Sequence, residues 1–289
     1  MPDSHHIADA RPFLKWAGGK TRLLKQYQDY FPPPELIHRY YEPFIGSAAV
    51  FFHLQPRPAV LSDRNGRLVE VYQAIQSNVN SVIRALRPHK NDADYYYAVR
   101  AQDPAGLTLP QRAARLIFLN KTCYNGLYRE NSRGEFNVPF GRYANPTICD
   151  RRRLQKAAAA LRGVALQVGD FEAVVETAVA GDFVYFDPPY APLSATSSFT
   201  SYHKDGFDTA DQQRLAATVA RLTAHGVRVM LSNSSAPLID DLYPDGRYTR
   251  IDIAARRNIN SQAARRGPVR EWLILNYEPG GWGIRTTTD

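Results

Sequence analysis

The sequence predicts an α/β fold: a mainly parallel sheet with helices on both faces, an antiparallel hairpin at its edge and an inserted helical segment. Three features of the 289-residue chain lead to this prediction. Short apolar runs alternate with helix-like stretches, a long helical segment interrupts the alternation, and two strand-like runs follow each other near the C-terminus. Alternation favours parallel pairing because each helix returns the chain to the same end of the sheet.

The predicted strands are short apolar runs that end in polar, glycine or proline residues. Four are clear, and a fifth, nearest the N-terminus, is weaker. Helix-like stretches separate them. The strands are predicted at 40–42, 60–63, 164–168, 183–186 and 227–231, and the helices at 48–54, 171–180 and 211–224.

The chain changes character between residues 69 and 162, where helical periodicity replaces the alternation. This segment also contains a polar, aromatic and glycine-rich run at 120–143. A connection of about 90 residues is too long to join two strands inside a compact sheet. We therefore predict an inserted helical subdomain at 69–162, within a core domain formed by 12–68 and 163–278.

Two strand-like runs near the C-terminus, 248–254 and 272–277, are joined by a single loop. This connection predicts an antiparallel hairpin at the edge of the sheet. The loop, 256–270, contains five arginines, which suit contacts with phosphate groups. A solvated surface loop would have a similar composition.

Composition restricts the functional classes. The formal net charge of +8 favours a polyanionic partner, although many basic proteins bind none. The two cysteines form no CxxC motif or Cys/His cluster, so the sequence predicts no metal site. No apolar run approaches the roughly 20 residues needed to cross a bilayer, and the N-terminus lacks the apolar core of a signal peptide. We expect a cytoplasmic protein.

Ligands of open parallel sheets bind beyond the carboxyl ends of the strands. Gly46 follows the first predicted strand and allows a ligand to approach the backbone closely. Asp63 ends the second, where an acidic side chain can accept hydrogen bonds from ribose hydroxyls. Asp170 and Phe171 follow the third and can receive an adenine amino group and pack against the base. A structural turn and two helix caps would look the same.

The N-terminal segment 12–20 reads PFLKWAGGK and combines two lysines, a tryptophan and a Gly-Gly turn. Its spacing differs from the phosphate-binding P-loop GxxxxGK[ST]. A buried structural turn would not need both Lys15 and Lys20. We therefore interpret the segment as functional.

The most informative motif is Asp187-Pro188-Pro189-Tyr190, directly after the strand at 183–186. The prolines fix the backbone direction because φ is held near −65°. The Asp187 carboxylate and the Pro188 carbonyl can accept the two N–H bonds of an exocyclic amine, and the Tyr190 ring can stack on the base. The corner formed by residues 187–190 would thus prepare the amine nitrogen to attack a methyl sulfonium, mainly by positioning and by a suitable electrostatic setting. A Pro-Pro strand terminator is the structural alternative.

Two further regions suit nucleic acid. A base must leave the helical stack before its amine can be reached, and Phe199 and Tyr202 can clamp it; a mobile lid without base contacts is the alternative. The run 120–142 mixes amide, aromatic and arginine side chains. Asparagine can pair with adenine and arginine with guanine, and Tyr124 can fill the space of a flipped base. This run would also suit a solvated surface.

Taken together, these residues resemble the Dam family of DNA adenine methyltransferases (the D12 class). The motifs FLKWAGGK, YEPFIGSAAVF, CYNGLYRENSRGEFNVPFGRY and YFDPPYAPLSATSSFTSYH occur in the family's order, and the resemblance spans residues 12 to about 278. It implies a Rossmann-like S-adenosylmethionine-dependent fold, with a target-recognition subdomain inserted before the DPPY strand. The motif LSNSS at 231–235, which the resemblance places after the fourth helix, lacks an acidic residue that some relatives carry.

The resemblance also implies roles for individual residues. Lys15 and Arg129 would read guanines, and Pro139 would contact a thymine methyl group, in the sequence GATC. The cofactor positions are Trp16, Lys20, Phe44, Gly46, Asp63, Asp170, Phe171 and Asp187. The catalytic positions are Asp187, Pro188 and Tyr190, and the DNA positions are Lys15, Tyr124, Asn125, Leu127, Arg129 and Pro139.

The leading hypothesis is therefore a site-specific DNA adenine methyltransferase (EC 2.1.1.72), with restriction-modification among its roles. We expect methyl transfer from S-adenosylmethionine to duplex DNA by base flipping, S-adenosylhomocysteine as product, no metal, and a monomer. One alternative is a DPPY-type enzyme acting on an RNA base or a protein glutamine. The other is a non-catalytic DNA-binding protein, which would bind DNA in a salt-sensitive manner without cofactor affinity.

Overall fold

The structure, a computed structural model, describes residues 7–193, 207–256 and 268–285. The strands in these ranges form one sheet in the order β3-β2-β1-β4-β5-β7-β6. All five strands predicted from the alternating part of the sequence are present, and each begins within one residue of its expected start. Four of them end where predicted, and the fifth continues to Ser234. In chain order they are β1 (Tyr40–Glu42), β2 (Ala59–Asp63), β3 (Ala165–Val168), β4 (Phe183–Phe186), β5 (Arg228–Ser234), β6 (Thr249–Arg256) and β7 (Pro268–Leu275).

Helices separate the strands, as predicted. The stretch expected to be helical at 171–180 is shorter, a 3-10 helix at Phe171–Glu176, since β-branched residues crowd its turns. The α-helices of the described residues are α1 (Leu24–Tyr27), α2 (Ala49–Leu54), α3 (Gly66–Leu86, interrupted at Asn78), α4 (Ala93–Ala101), α5 (Leu109–Thr122), α6 (Arg151–Ala160), α7 (Thr209–Ala224) and α8 (Pro237–Leu242).

The chain divides into two compact units. The first comprises Met1–Thr21, Gly46–Gln55 and Asn65–Val168, and it is mainly helical. Its core lies where α3 packs on α5, around residues such as Tyr72 and Phe118. The assignment of 69–162 to target recognition stays a prediction.

The second unit comprises Arg22–Ile45, Pro56–Arg64 and Gly169–Asp289. Its central strands are apolar on both faces, as is usual for parallel strands covered by helices. Val184 and Phe186 of β4 share a core with apolar residues of α7, which begins at a capping box formed by Asp208 and Asp211.

Strand β1 lies between β2 and β4 and is parallel to both. Tyr40 is aligned with Phe183, so the two strands run side by side towards the same end. The chain leaves β1 and β4 on opposite sides of this junction. Such a reversal of strand order is the usual ligand-binding position in open α/β sheets. It brings Phe44 and Asp187, which follow the two strands, to one edge.

The predicted edge hairpin is confirmed. β7 pairs antiparallel with β5, and β6 pairs antiparallel with β7. The two paired strands extend further towards their connecting loop than the sequence suggested, since pairing continues to Arg256 opposite Pro268. Residues 257–267 of the arginine-rich loop lie outside the described residues. Among the helices that the structure describes, none is both long and apolar enough to span a membrane.

Candidate active site

Asp187 begins the corner that directly follows β4. Its side chain is half-buried, and its Oδ1 accepts a hydrogen bond of 2.9 Å from Ser232 Oγ on β5. The hydroxyl of Tyr185 lies 3.1 Å from the same Ser232 Oγ. A buried hydroxyl pair therefore holds one oxygen of the carboxylate that the sequence predicts to be catalytic.

The backbone of the corner is fixed by amide side chains. Gln212 Nε2 of α7 donates to the Pro189 carbonyl at 3.0 Å. Gln212 Oε1 in turn accepts from Asn233 Nδ2 of β5 at 3.0 Å, and Asn233 Oδ1 accepts from Ala191 N at 3.1 Å. These three bonds join the corner to a helix and a neighbouring strand, which limits its movement relative to the sheet.

Tyr190 ends the corner with a half-buried ring. Its hydroxyl donates to Glu271 Oε2 on β7 at 2.7 Å. Burial first, and then the charge of Asp187, raise the pKa of Tyr190 well above its ordinary value. The hydroxyl therefore stays protonated, and its bond to the edge hairpin sets the plane of the ring.

Phe44, which follows β1, stacks on Phe171 with ring centroids 5.5 Å apart and planes at 23°. Phe171 is only 1% exposed, and the Arg214 guanidinium of α7 lies 5.0 Å from its ring centroid. Asp170 accepts from the backbone N–H of Glu172 at 3.1 Å and from Arg214 Nη2 at 3.0 Å. The Asp170-Phe171 pair thus caps a 3-10 helix and belongs to an aromatic cluster.

Asp63 lies half-buried at the carboxyl end of β2. Its backbone carbonyl accepts from Gly169 N at 3.1 Å. The position matches the expectation for an acidic residue that binds ribose hydroxyls at the end of a second strand. Its role stays a prediction.

Three cofactor candidates lie in the first unit. Gly46 has a φ of +43°, and a Cβ there would be 3.0 Å from Trp16 Cδ1, so only glycine allows this approach. The Trp16 ring stacks on Tyr128 at 5.3 Å between centroids. Lys20 is 4% exposed, and its Nζ donates to the Gly18 carbonyl at 2.7 Å. The PFLKWAGGK segment is therefore a compact turn around a buried ammonium group.

Lys15 is held at two points of its backbone by one side chain. Its N–H donates to Asn120 Oδ1 at 2.8 Å, and its carbonyl accepts from Asn120 Nδ2 at 2.6 Å. The Lys15 ammonium lies 3.8 Å from the centroid of the Tyr143 ring. Asn120 is fully buried, so this asparagine of the predicted recognition run positions Lys15.

The other DNA candidates share the loop after α5. Tyr124 is 48% exposed, its backbone N–H donates to the Pro139 carbonyl at 2.8 Å, and Pro139 is itself exposed. Arg129 is exposed, and its Nε donates to Asn137 Oδ1 at 2.6 Å. With Asn125 and Leu127, these residues form a continuous segment of the first unit.

Some predicted residues stay untested by the geometry. Phe199 and Tyr202 lie outside the described residues. Among the residues with described coordinates, no group of three or more His, Cys, Asp or Glu side chains is arranged to hold a metal ion.

Sequence reasoning missed the side chains that hold the corner: Ser232, Gln212, Asn233 and Glu271. A polar side chain in a mainly apolar strand is a usable signal for such residues, and Glu271, beside Arg270 in PVREWLIL, is one case. The partner of each side chain depends on strand order, which the local sequence does not contain.

The chain has extensive similarity to known proteins. The model of the D12 class N6 adenine-specific DNA methyltransferases matches residues 16–259. The Type II methyltransferase M1.LlaDCHI of Lactococcus lactis subsp. cremoris is 42% identical over 275 residues, or 92% of this chain and 95% of the relative. M.MjaIII, a Type II methyltransferase of Methanocaldococcus jannaschii, is 41% identical over 291 residues (93% and 100%). The DNA adenine methylase of Serratia marcescens is 36% identical over 270 residues (92% and 98%).

Proposed function

Because the chain belongs to the D12 class of N6 adenine-specific DNA methyltransferases, we propose that it transfers a methyl group from S-adenosylmethionine to adenine N6 in GATC sites of duplex DNA. The family predicted from the motifs is thereby confirmed. One observation carries the finer proposal: Asp187-Pro188-Pro189-Tyr190 leaves β4 beside the loop after β1, where the strand order reverses. The enzyme acts as a cytoplasmic monomer.

At this corner, the residues bind and orient the amine. The Asp187 carboxylate and the Pro188 carbonyl accept its two N–H bonds, and the Tyr190 ring stacks on the base. Two acceptors draw the nitrogen lone pair out of conjugation with the ring, so the nitrogen becomes a better nucleophile. The contribution of the protein is orientation and electrostatics, and no covalent intermediate on the protein is needed.

The residues at the strand ends fit S-adenosylmethionine. Gly46 lets the Trp16 ring approach the backbone, since a Cβ there would lie 3.0 Å from Trp16 Cδ1, and Asp63 stands where ribose hydroxyls are bound in such folds. Trp16, Lys20, Phe44, Gly46, Asp63, Asp170, Phe171 and Asp187 would hold the cofactor. When bound, it supplies a methyl group on a positively charged sulfur and leaves as S-adenosylhomocysteine.

The loop after α5 provides the proposed sequence readout. Lys15 and Arg129 donate to guanines, and Pro139 contacts a thymine methyl group. Support comes from the buried bonds of Asn120, which fix the Lys15 backbone. Tyr124 is 48% exposed and fills the space that the flipped adenine leaves, and Asn125 and Leu127 belong to the same readout segment. Phe199 and Tyr202 clamp the extruded base.

Transfer of tritiated methyl groups tests the substrate class. We expect incorporation into a duplex oligonucleotide containing GATC, and little into a matched duplex in which GATC is changed to GTTC. A structured RNA and a glutamine-containing peptide serve as the rival substrates. Incorporation into either rival but not into DNA would replace the proposal by the corresponding alternative.

We further propose that Lys121, next to Asn120 near the end of α5, contacts a DNA phosphate, which makes DNA binding depend on pH. Burial first, and then the charges of Arg153 and Lys15, lower the pKa of Lys121 from 10.5 to about 8. In the complex, the phosphate would raise the pKa of Lys121 again. Below pH 8 the lysine is charged in both the free and the bound protein, so the affinity for DNA is constant. As the pH rises from 8 towards the higher pKa of the bound state, only the free protein loses the proton, so the affinity falls. We expect a loss of about 3- to 10-fold by pH 9.5, the worth of one phosphate contact.

The matched control is Lys121→Arg, because a guanidinium keeps its charge throughout this range. Fluorescence anisotropy at constant ionic strength should show the decline for the wild type and a flat profile for the variant. Equal slopes for the two proteins would contradict the assignment of this pH dependence to Lys121.

A further inference from the structure

Ser232 and Tyr185 form a hydroxyl pair beneath the predicted catalytic carboxylate. Ser232 Oγ lies 2.9 Å from Asp187 Oδ1 and 3.1 Å from the Tyr185 hydroxyl. Ser232 is 0% exposed and Tyr185 is 1% exposed. Water therefore has no access to either hydroxyl, and a bond lost here would not be replaced by solvent.

The direction of the two bonds follows from the number of protons. A serine hydroxyl has one proton, and an ionised carboxylate can only accept, so Ser232 donates to Asp187. The remaining proton between the two hydroxyls must come from Tyr185, which donates to Ser232. Burial first, and then the charge of Asp187, raise the pKa of Tyr185 well above its ordinary value, so it keeps this proton.

The backbone explains why these three side chains meet. Tyr185 and Asp187 are two residues apart, so they project to the same side of the chain. Phe186 of β4 is aligned with Leu231 of β5 in the parallel register. Ser232 comes directly after Leu231 and is therefore level with Asp187.

From this geometry we infer that Ser232, supported by Tyr185, is a positioning residue that fixes the carboxylate of Asp187 for methyl transfer. The inference rests on the proposed function. The Asp187 carboxylate can rotate about its Cβ–Cγ bond, whereas the amine needs its acceptor oxygen in one orientation. Two buried bonds in series hold that orientation, and each bond polarises the next.

The test is the kinetics of three variants: Ser232→Ala, Tyr185→Phe and the double variant. We expect Ser232→Ala to lower the single-turnover rate constant about 10- to 100-fold, the usual effect of losing a partner that orients a functional group. KM for DNA and the affinity for the cofactor should change less than about threefold, because a loss of orientation slows the transfer step without weakening binding. Tyr185→Phe should have a smaller effect in the same direction.

The double variant shows whether Tyr185 acts through Ser232 or whether the two side chains act independently. If Tyr185 acts through Ser232, the double variant is no slower than Ser232→Ala, whereas independent effects would multiply. Tyr277→Phe is the matched control, since Tyr277 is equally buried and its hydroxyl donates to the Tyr30 carbonyl at 2.7 Å. It should lose some stability and keep the wild-type rate.

Two failures are separable. A wild-type protein without methyl transfer to DNA overturns the proposed function. The positioning role alone is overturned if folded Ser232→Ala and Tyr185→Phe keep near-native rates while the wild type is active and Asp187→Ala is inactive. Multiplying effects in the double variant, or losses that appear in KM only, also overturn it.

Discussion

Replacing Asp187 with alanine is expected to lower methyl transfer by about 10³-fold or more, the upper range for loss of a group that stabilises charge in a transition state. The carboxylate is one of the two proposed acceptors for the amine, and it is held by Ser232. The variant should still bind duplex DNA, because the candidates for sequence readout, from Lys15 to Pro139, belong to the other compact unit. Single-turnover transfer and fluorescence anisotropy measure the two properties separately.

Asp182 provides the matched control at the opposite end of the same strand. It is buried, and its Oδ2 accepts from Val179 N at 3.0 Å. Asp182→Asn should lose stability and keep its rate constant at temperatures where it is folded. A near-native rate for Asp187→Ala would show that the corner is not the catalytic site.

Gly126→Ala is expected to disturb DNA recognition from a position without any functional group. Gly126 has a φ of +63°, and an added Cβ would lie 2.5 Å from Lys15 Cβ. Lys15 cannot easily yield, because Asn120 holds both its N–H and its carbonyl. We expect a loss of about 2–4 kcal/mol in the free energy of unfolding, from overpacking and the left-handed backbone. Affinity for the GATC duplex should fall about tenfold or more, as for loss of a base contact.

Gly134→Ala separates backbone strain from the clash. Gly134 belongs to the same loop region and has a φ of +73°, but the nearest atom to an added Cβ lies 3.8 Å away. It should lose only about 1–2 kcal/mol and keep its preference for the GATC duplex. If both alanine variants bind DNA equally well, the contact between Gly126 and Lys15 does not control recognition.

The strands were predictable because a strand buried on both faces appears in the sequence as a short apolar run that polar, glycine or proline residues end. FVYF before Asp187 is the clearest case, and the structure places it as β4 at 183–186. Even the weak run Tyr40-Tyr41-Glu42 is a strand, completed by parallel neighbours on both sides. Local sequence was less informative at 171–180, where the chain forms a short 3-10 helix.

The corner itself was predictable, whereas its supports were not. Asp-Pro-Pro-Tyr carries its chemistry within four consecutive residues. Ser232 and Gln212 reach the corner only through strand order and helix packing, from positions 45 and 23 residues away in the chain. Asn120 shows the converse: the sequence makes it a candidate for base pairing, and the structure buries it behind Lys15.

The central claim is that the Asp187 corner methylates adenine in DNA. Its most direct test is to express the wild type and Asp187→Ala in cells without DNA methylation and to map modified bases by long-read sequencing. The account predicts N6-methyladenine at GATC sites on both strands for the wild type and none for the variant. Unmodified adenine in cells that contain folded wild-type protein, or equal modification by both proteins, would contradict it.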